Sequence, residues 1–307
     1  MQRTGRPYLR RTLALLTALC GSALLTAWPT VVRGQSTTVP PFSHIFLIVE
    51  ENAEAYRVLE NSERYVTRAA PQYSLATQYF AISHPSLPNY VAMVSGDTFG
   101  ITSDCADCFL NQPNLADQIE ASGRTWRAYA ESMPGPCFVG AADRYAQTHN
   151  PFIYFDSIRT QPERCANGIV PFSQFAADLA QHQVPDFSMI IPDLCSDGHD
   201  CSWQAEDQWL AQLVPSILSS PEFQTGGLLV ITWDEGSTNA SCCNGIAHGG
   251  QVATLIISPL ARTGFRSDAV VSHYSLLRTI EDAWGLPPLG HAADVSPITD
   301  VFDLTAQ

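Results

Sequence analysis

His44-Ile-Phe-Leu-Ile-Val-Glu-Glu-Asn52 is an unbroken apolar run that ends abruptly in two acids and an amide. Such a run, without alternation, reads as a buried strand covered on both faces. Three more stretches have the same character: Phe187–Ile191, Gly227–Trp233 and Gln251–Ile257. Between them, residues 114–122, 172–181, 204–218 and 274–284 place apolar side chains at three- and four-residue spacing, the period of a helix with one buried face. Strands alternating with helices argue an α/β fold with a mostly parallel, doubly wound sheet. In such sheets ligands bind beyond the carboxyl ends of the strands. The residues that close each apolar run are therefore where chemistry is expected.

Those closing residues are rich in metal-ligand types. Glu51 and Asn52 end the first run, and Asp234 and Glu235 end the Gly227–Trp233 run. Acids gathered at the ends of buried strands repel one another, and a cation offsets that repulsion. Pro192-Asp-Leu-Cys-Ser-Asp-Gly-His-Asp-Cys201 crowds Asp193, Asp197, His199 and Asp200 into one short loop. Mixed Asp/His donors suit zinc, manganese or iron better than magnesium alone, and His199 argues against a calcium loop. His248 stands in a glycine turn, Ala247-His-Gly-Gly250, just before a strand.

Ile82-Ser-His-Pro-Ser-Leu-Pro-Asn-Tyr90 is the candidate nucleophile segment. Ser86 falls where a helix cap is expected, with Pro88 in the first turn and apolar residues continuing the helix. A serine there faces the positive end of the helix dipole and free backbone N–H groups, which suit a phosphoryl group. Taken alone, the segment reads first as a plain cap.

Composition narrows the possibilities further. The chain has no lysine, which excludes Schiff-base and Walker-type lysine chemistry. Arg3, Arg6, Arg10 and Arg11 precede an apolar run from Leu13 to Ala27, the pattern of an export signal. Residues 1–35 are expected to be signal peptide and linker, of the twin-arginine or the generic secretory type, with cleavage after Ala27 or nearer Gly34. The apolar run is too short for a stable membrane anchor. Without that segment 11 arginines face 30 carboxylates, a net charge of −19. So acidic a surface repels nucleic acid. Eight cysteines remain after Cys20, an even number that in an exported protein suggests disulfides. Local closure favours 105–108, 137–165 and 195–201, leaving 242–243. Zinc at Cys105 and Cys108 is the competing reading, weakened because no second pair stands at ligand spacing.

The order of these signals resembles the alkaline phosphatase-like metalloenzymes, and within them the phosphoesterase family of bacterial acid phosphatases and phospholipases C. Its marks are Glu50-Glu-Asn52, His84-Pro-Ser-Leu-Pro-Asn-Tyr90, Asp197-Gly-His-Asp200, Thr232-Trp-Asp-Glu235 and Tyr274-Ser-Leu-Leu-Arg-Thr-Ile-Glu-Asp282. The resemblance spans about residues 42 to 303. It implies a three-layer fold with a mostly parallel central sheet flanked by helices, and one catalytic domain over residues 36–307.

Carried over position by position, the resemblance makes Ser86 the nucleophile of a [Ser/Thr]-x-Pro-Asn pattern. It makes Glu51, Asn52, Asp234 and Glu235 metal ligands, and His199 and His248 active-site histidines, with His84 near the leaving group or phosphate. Asp193 and Asp197 stay open as alternatives for one ligand, because two extra residues separate Pro192-Asp193 from Gly198-His199. Glu235 replaces a histidine common in the wider superfamily, which favours one metal over two. On the second option His199 and His248 hold the second ion. Zinc, calcium, manganese and magnesium all remain open as the divalent ion. His273 is expected to support the site or cap a helix. His44, His149, His182 and His291 are expected to be structural, as are Arg278 and Glu281.

The activity implied is a secreted, metal-dependent phosphoric-ester hydrolase, first an acid phosphatase acting on small phosphomonoesters through a phosphoserine. A phospholipase C or other phosphodiesterase is the alternative. The alternative of another class is a non-catalytic secreted binding protein on the same fold.

Overall fold

The computed structural model describes residues 39–303. The export segment expected over residues 1–35, Cys20 included, lies outside the described residues. Among the described residues nine strands form one sheet: β1 (Ile45–Glu50), β2 (Ser74–Phe80), β3 (Trp126–Ala130), β4 (Ile169–Pro171), β5 (Phe187–Ile191), β6 (Leu228–Trp233), β7 (Gln251–Ile257), β8 (Arg266–Ser267) and β9 (Val271–Ser272). Their order is β4-β3-β5-β1-β6-β7-β2-β8, with β9 also pairing β2. β1, β3, β4, β5 and β6 run parallel, whereas β7 is antiparallel to both β6 and β2. The mixed α/β architecture, a mostly parallel sheet flanked by helices, is the one expected.

The physics of the centre is simple. All six residues of β1 and all six of β6 are buried, and the two strands pair from Ile45↔Leu228 to Glu50↔Trp233. Each buried Leu, Ile or Val contributes about 1.5–3 kcal/mol, so these two strands form the stable spine. Because they are parallel and in register, the residues beyond their carboxyl ends emerge at the same edge. That is how Glu51 and Asp234, 183 residues apart in sequence, become neighbours.

The Ser86–Ser95 helix is buried along its whole length, packed against the His273–Trp284 helix. It ends at Gly96 in the left-handed conformation, φ 75°. A Cβ there would lie 2.1 Å from the Leu289 carbonyl oxygen, so only glycine allows both the turn and the close approach. Gly96→Ala is therefore expected to cost about 2–4 kcal/mol, read by chemical denaturation. A loss below about 0.5 kcal/mol would show that the contact yields easily.

Disulfides join Cys105–Cys108, Cys137–Cys165, Cys195–Cys201 and Cys242–Cys243. That is the expected pairing, and it takes Cys105 and Cys108 away from zinc. Four disulfides fit an oxidising compartment. No helix among the described residues is long and apolar enough to cross a membrane.

Candidate active site

The site forms where β1 and β6 end. The Asp234 amide donates to the Glu50 carbonyl at 2.9 Å, and the chain turns at Asn52 with φ 54°. The Asn52 amide then donates to Asp234 Oδ1 at 3.0 Å, and its side-chain Nδ2 donates to Glu51 Oε2 at 3.0 Å. The two strand ends are thus locked to each other by the residues expected to bind metal. Glu50 is fully buried, and the charges of Glu206, Asp197, Arg64 and Glu131 act on it.

Ser86 is the first residue of its helix, with Pro85 in the cap position, so its side chain does not cap. Instead Ser86 Oγ donates to Glu51 Oε2 at 3.1 Å. One turn on, Tyr90 donates to Glu51 Oε1 at 2.5 Å. Asn89 explains the Pro-Asn of the motif. Its Oδ1 accepts from the Ile82 and Ser83 amides (2.8 and 2.9 Å), and its Nδ2 donates to the Ser83 and Pro85 carbonyls (2.9 and 3.1 Å). One amide side chain thus fixes the loop that leads into Ser86.

His84 is less free than expected. Its Nε2 faces the Thr238 carbonyl at 3.0 Å, and its Nδ1 faces Glu235 Oε2 at 2.8 Å. A carbonyl only accepts, so Nε2 carries a hydrogen. The ring is thus tied to Glu235 and to the loop that follows it.

Asp193 and Asp197, the two alternatives for one ligand, have different partners. Asp193 accepts from the Cys195 and Ser196 amides, both at 3.0 Å, and from Ser132 Oγ at 2.6 Å. It holds the turn. Asp197 is fully buried, and its Oδ2 lies 3.2 Å from His149 Nδ1. His149 Nε2 lies 3.5 Å from Glu51 Oε1, and the ring stacks on Tyr90 with centroids 5.2 Å apart. One donor atom each from Glu51, His149 and Asp197 falls within 4.8 Å of the other two. His149, expected from the sequence to be structural, is brought into the site.

His199 and His248 are not brought into that buried group. His199 is exposed at the mouth, 6.1 Å from His149 between ring centroids, with Nδ1 bonded to Asp200 at 2.8 Å. His248 is exposed, and its amide donates to the Ile82 carbonyl at 2.9 Å. The glycine after it has the tighter role, since a Cβ at Gly249 would lie 2.4 Å from the Ser83 carbonyl oxygen. His273 is buried and supports the site from below. Its Nε2 donates to the Asp234 carbonyl at 2.6 Å, and Tyr79 donates to its Nδ1 at 3.1 Å. Burial lowers its pKa to about 4, so it is neutral. Glu54 joins the site without any motif to mark it. It accepts from Ser237, Thr238 and Gln251 amides and so shapes the loop after Glu235.

The electrostatics point to a cation. Burial, then the charges of Asp234 and Asp197, push Glu51 well above the usual carboxylate range. Burial and Glu235 raise Asp234 to about 7; burial and Asp104 raise Glu235 to about 7. Asp234 Oδ2 is buried and has no hydrogen-bond partner. Four carboxylates converge here, and among the described residues no arginine forms an ion pair with any of them. One oxygen each from Glu51 and Asp197 and one nitrogen of His149 could hold a metal ion.

The sequence profile of the Phosphoesterase family matches residues 54–287. The chain is 31% identical to a phosphatidylinositol-3-phosphatase from Mycobacterium tuberculosis, over 98% of each chain. It is 30% identical to a probable acid phosphatase from Kluyveromyces lactis, over 86% of this chain and 63% of the other. Among solved structures it resembles a protein of the alkaline phosphatase superfamily from Vibrio parahaemolyticus, with TM-score 0.55, 11% identity, and coverage of 81% and 68%. The latter likeness is one of fold. The chain therefore belongs to the Phosphoesterase family, and so to the phosphoric-ester hydrolases.

Proposed function

We propose that this protein is an exported, metal-dependent acid phosphatase that cleaves small phosphomonoesters through a phosphoserine at Ser86, with residues 36–307 acting as one catalytic domain. The observation that carries the reading is the Ser86 hydroxyl at the start of a buried helix, bonded to Glu51 within a ring of convergent carboxylates. Glu51, Asn52, Asp234 and Glu235 would hold the ion, with Asp197 and His149 beside it. When bound, a divalent ion lowers the pKa of a nearby hydroxyl and offsets charge on the phosphoryl oxygens.

The chain's own residues account for the rest. Ser86 Oγ gives up its proton toward Glu51 Oε2 and attacks phosphorus in line with the leaving oxygen. The Ser86 amide and the helix dipole meet charge on the equatorial oxygens. His199, at the mouth, protonates the departing alcohol. Water then attacks phosphorus from the vacated side, releasing phosphate and restoring the Ser86 hydroxyl. The phosphatidylinositol-3-phosphatase relative, matched along its whole length, favours a second substrate of the same bond type, a phosphoinositide monoester.

Hydrolysis of p-nitrophenyl phosphate and its bis ester, from about pH 4 to about pH 9 with and without chelator, tests the reading. Monoester turnover on the acid side, abolished by chelator and restored by metal, is the expected result. Preferential cleavage of the bis ester would transfer the assignment to a phosphodiesterase. Phosphatidylinositol 3-phosphate in vesicles, compared with the soluble monoester, separates the two substrates.

A further inference from the structure

A helix leaves its first backbone N–H groups without intrahelical partners. In the Ser86 helix that supply is unusually small. The cap residue is Pro85 and the third residue is Pro88, and proline has no N–H. Ser86 and Leu87 therefore carry every amide that the cap and first three positions can offer to a phosphoryl group. The Leu87 amide is already taken: it donates to Asp104 Oδ1 at 2.9 Å.

Asp104 arrives from a distant, exposed loop. The Cys105–Cys108 disulfide follows it directly. Tyr154 donates to the Cys105 carbonyl at 3.0 Å, and Gln147 Nε2 donates to the Ala106 carbonyl at 2.8 Å. These ties hold the loop over the helix end. The carboxylate stands at the edge of the site, on the amide next to Ser86, whose hydroxyl is bonded to Glu51, and its charge acts on Glu235. Asp234, whose Oδ2 is buried without a hydrogen-bond partner, belongs to the same group of acids as Glu51.

We propose that Asp104 is an internal anion that competes with the substrate's phosphoryl group, and with product phosphate, for the Leu87 amide. The proposal rests on Ser86 being the attacking group. A carboxylate oxygen occupies the place that a phosphoryl oxygen takes when substrate engages both amides. For that engagement Asp104 withdraws, which its solvent-exposed side chain permits. Its return helps to expel phosphate, and its charge disfavours ligands that carry more negative charge than a monoester. Asp104 thus sets specificity and product release.

The test is the inhibition constant of inorganic phosphate against p-nitrophenyl phosphate turnover, on metal-loaded wild type, Asp104→Asn and Asp104→Ala. Melting temperatures are recorded for all three. Phosphate is expected to bind about tenfold more tightly to Asp104→Ala, with KM for the monoester falling too. Asp104→Asn, which keeps an acceptor but no charge, falls between. A residue that merely caps the helix would lower the melting temperature on removal and leave phosphate affinity where it was. Unchanged or weaker phosphate binding in both variants therefore overturns the proposal. Normal turnover with unmoved phosphate affinity sinks the role of Asp104 alone. A wild type that neither turns over monoester nor binds phosphate sinks the nucleophile reading with it.

Discussion

Ser86→Ala will reduce kcat on p-nitrophenyl phosphate by about 10⁴-fold or more, with the protein folded and its metal content unchanged. The size reflects what the hydroxyl does. Without it no phosphoserine forms, and water must attack the ester directly without the second, easier step that covalent catalysis provides. The fold should tolerate the change because the helix does not depend on the side chain: Ser86 makes no capping bond, and its hydroxyl donates only into the site. Glu51 still accepts from Tyr90 and from Asn52, so the carboxylate stays in place. Phosphate affinity should survive, because the Ser86 amide remains. Activity within tenfold of wild type would remove Ser86 from the mechanism. A variant that is inactive and also metal-free would show instead that the serine supports the metal centre.

Much of this arrangement is legible in the chain before folding, for physical reasons that differ between parts. β1 and β6 announce themselves because strands buried on both faces must be continuously apolar. The acids that end them stand out because charge at the end of such a run is conspicuous. The Pro-Ser-Leu-Pro-Asn segment is legible because a helix start carries its own chemistry. Other parts leave no local trace. β2 reads Ser-Leu-Ala-Thr-Gln-Tyr-Phe and β3 reads Trp-Arg-Ala-Tyr-Ala, and neither is an unbroken apolar run. Arg127 in β3 is satisfied by Asp178 in another element, a partner that only the fold supplies. The reversal of β7 also has no signature within its own residues.

His149 is the instructive case. It stands in Gln147-Thr-His-Asn-Pro151, a loop without periodicity or neighbouring acids. Its meaning comes from where the loop is carried, between Glu51 and Asp197 and onto the face of Tyr90. His248 is the converse case. By itself it reads as a turn residue, and only the family resemblance makes it an active-site histidine; in the fold it is exposed, and the close contact belongs to Gly249, packed on the Ser83 backbone. Spacing locates residues on elements, but a shared site depends on tertiary approach.

The second large effect is expected at Asp234, where activity and stability should move in opposite directions. Asp234→Asn keeps the shape and the acceptor for the Asn52 amide but removes a charge from the ligand set. Bound metal should fall well below wild-type occupancy, and kcat/KM by about 10³-fold, or about 4 kcal/mol of transition-state stabilisation. In the chelated protein the same substitution should help. Asp234 and Glu235 titrate near 7 in the fold, well above the usual carboxylate value. Because their folded pKa values are raised, the folded state binds more protons than the unfolded chain between about pH 4 and about pH 7. Their contribution is present at the acid end and lost as pH rises through about 7. Metal-free wild type should therefore melt at lower temperature at about pH 8 than at about pH 5, from repulsion among buried carboxylates. Asp234→Asn should flatten that slope and melt higher than wild type at the alkaline end. Added divalent ion should reverse the ranking, stabilising wild type by mass action and the variant far less. Melting scans across pH, with chelator and with metal, read both effects. A variant that is less stable than wild type in chelator at every pH would mean that Asp234 is held by neutral contacts and that no cation is needed to keep these acids together.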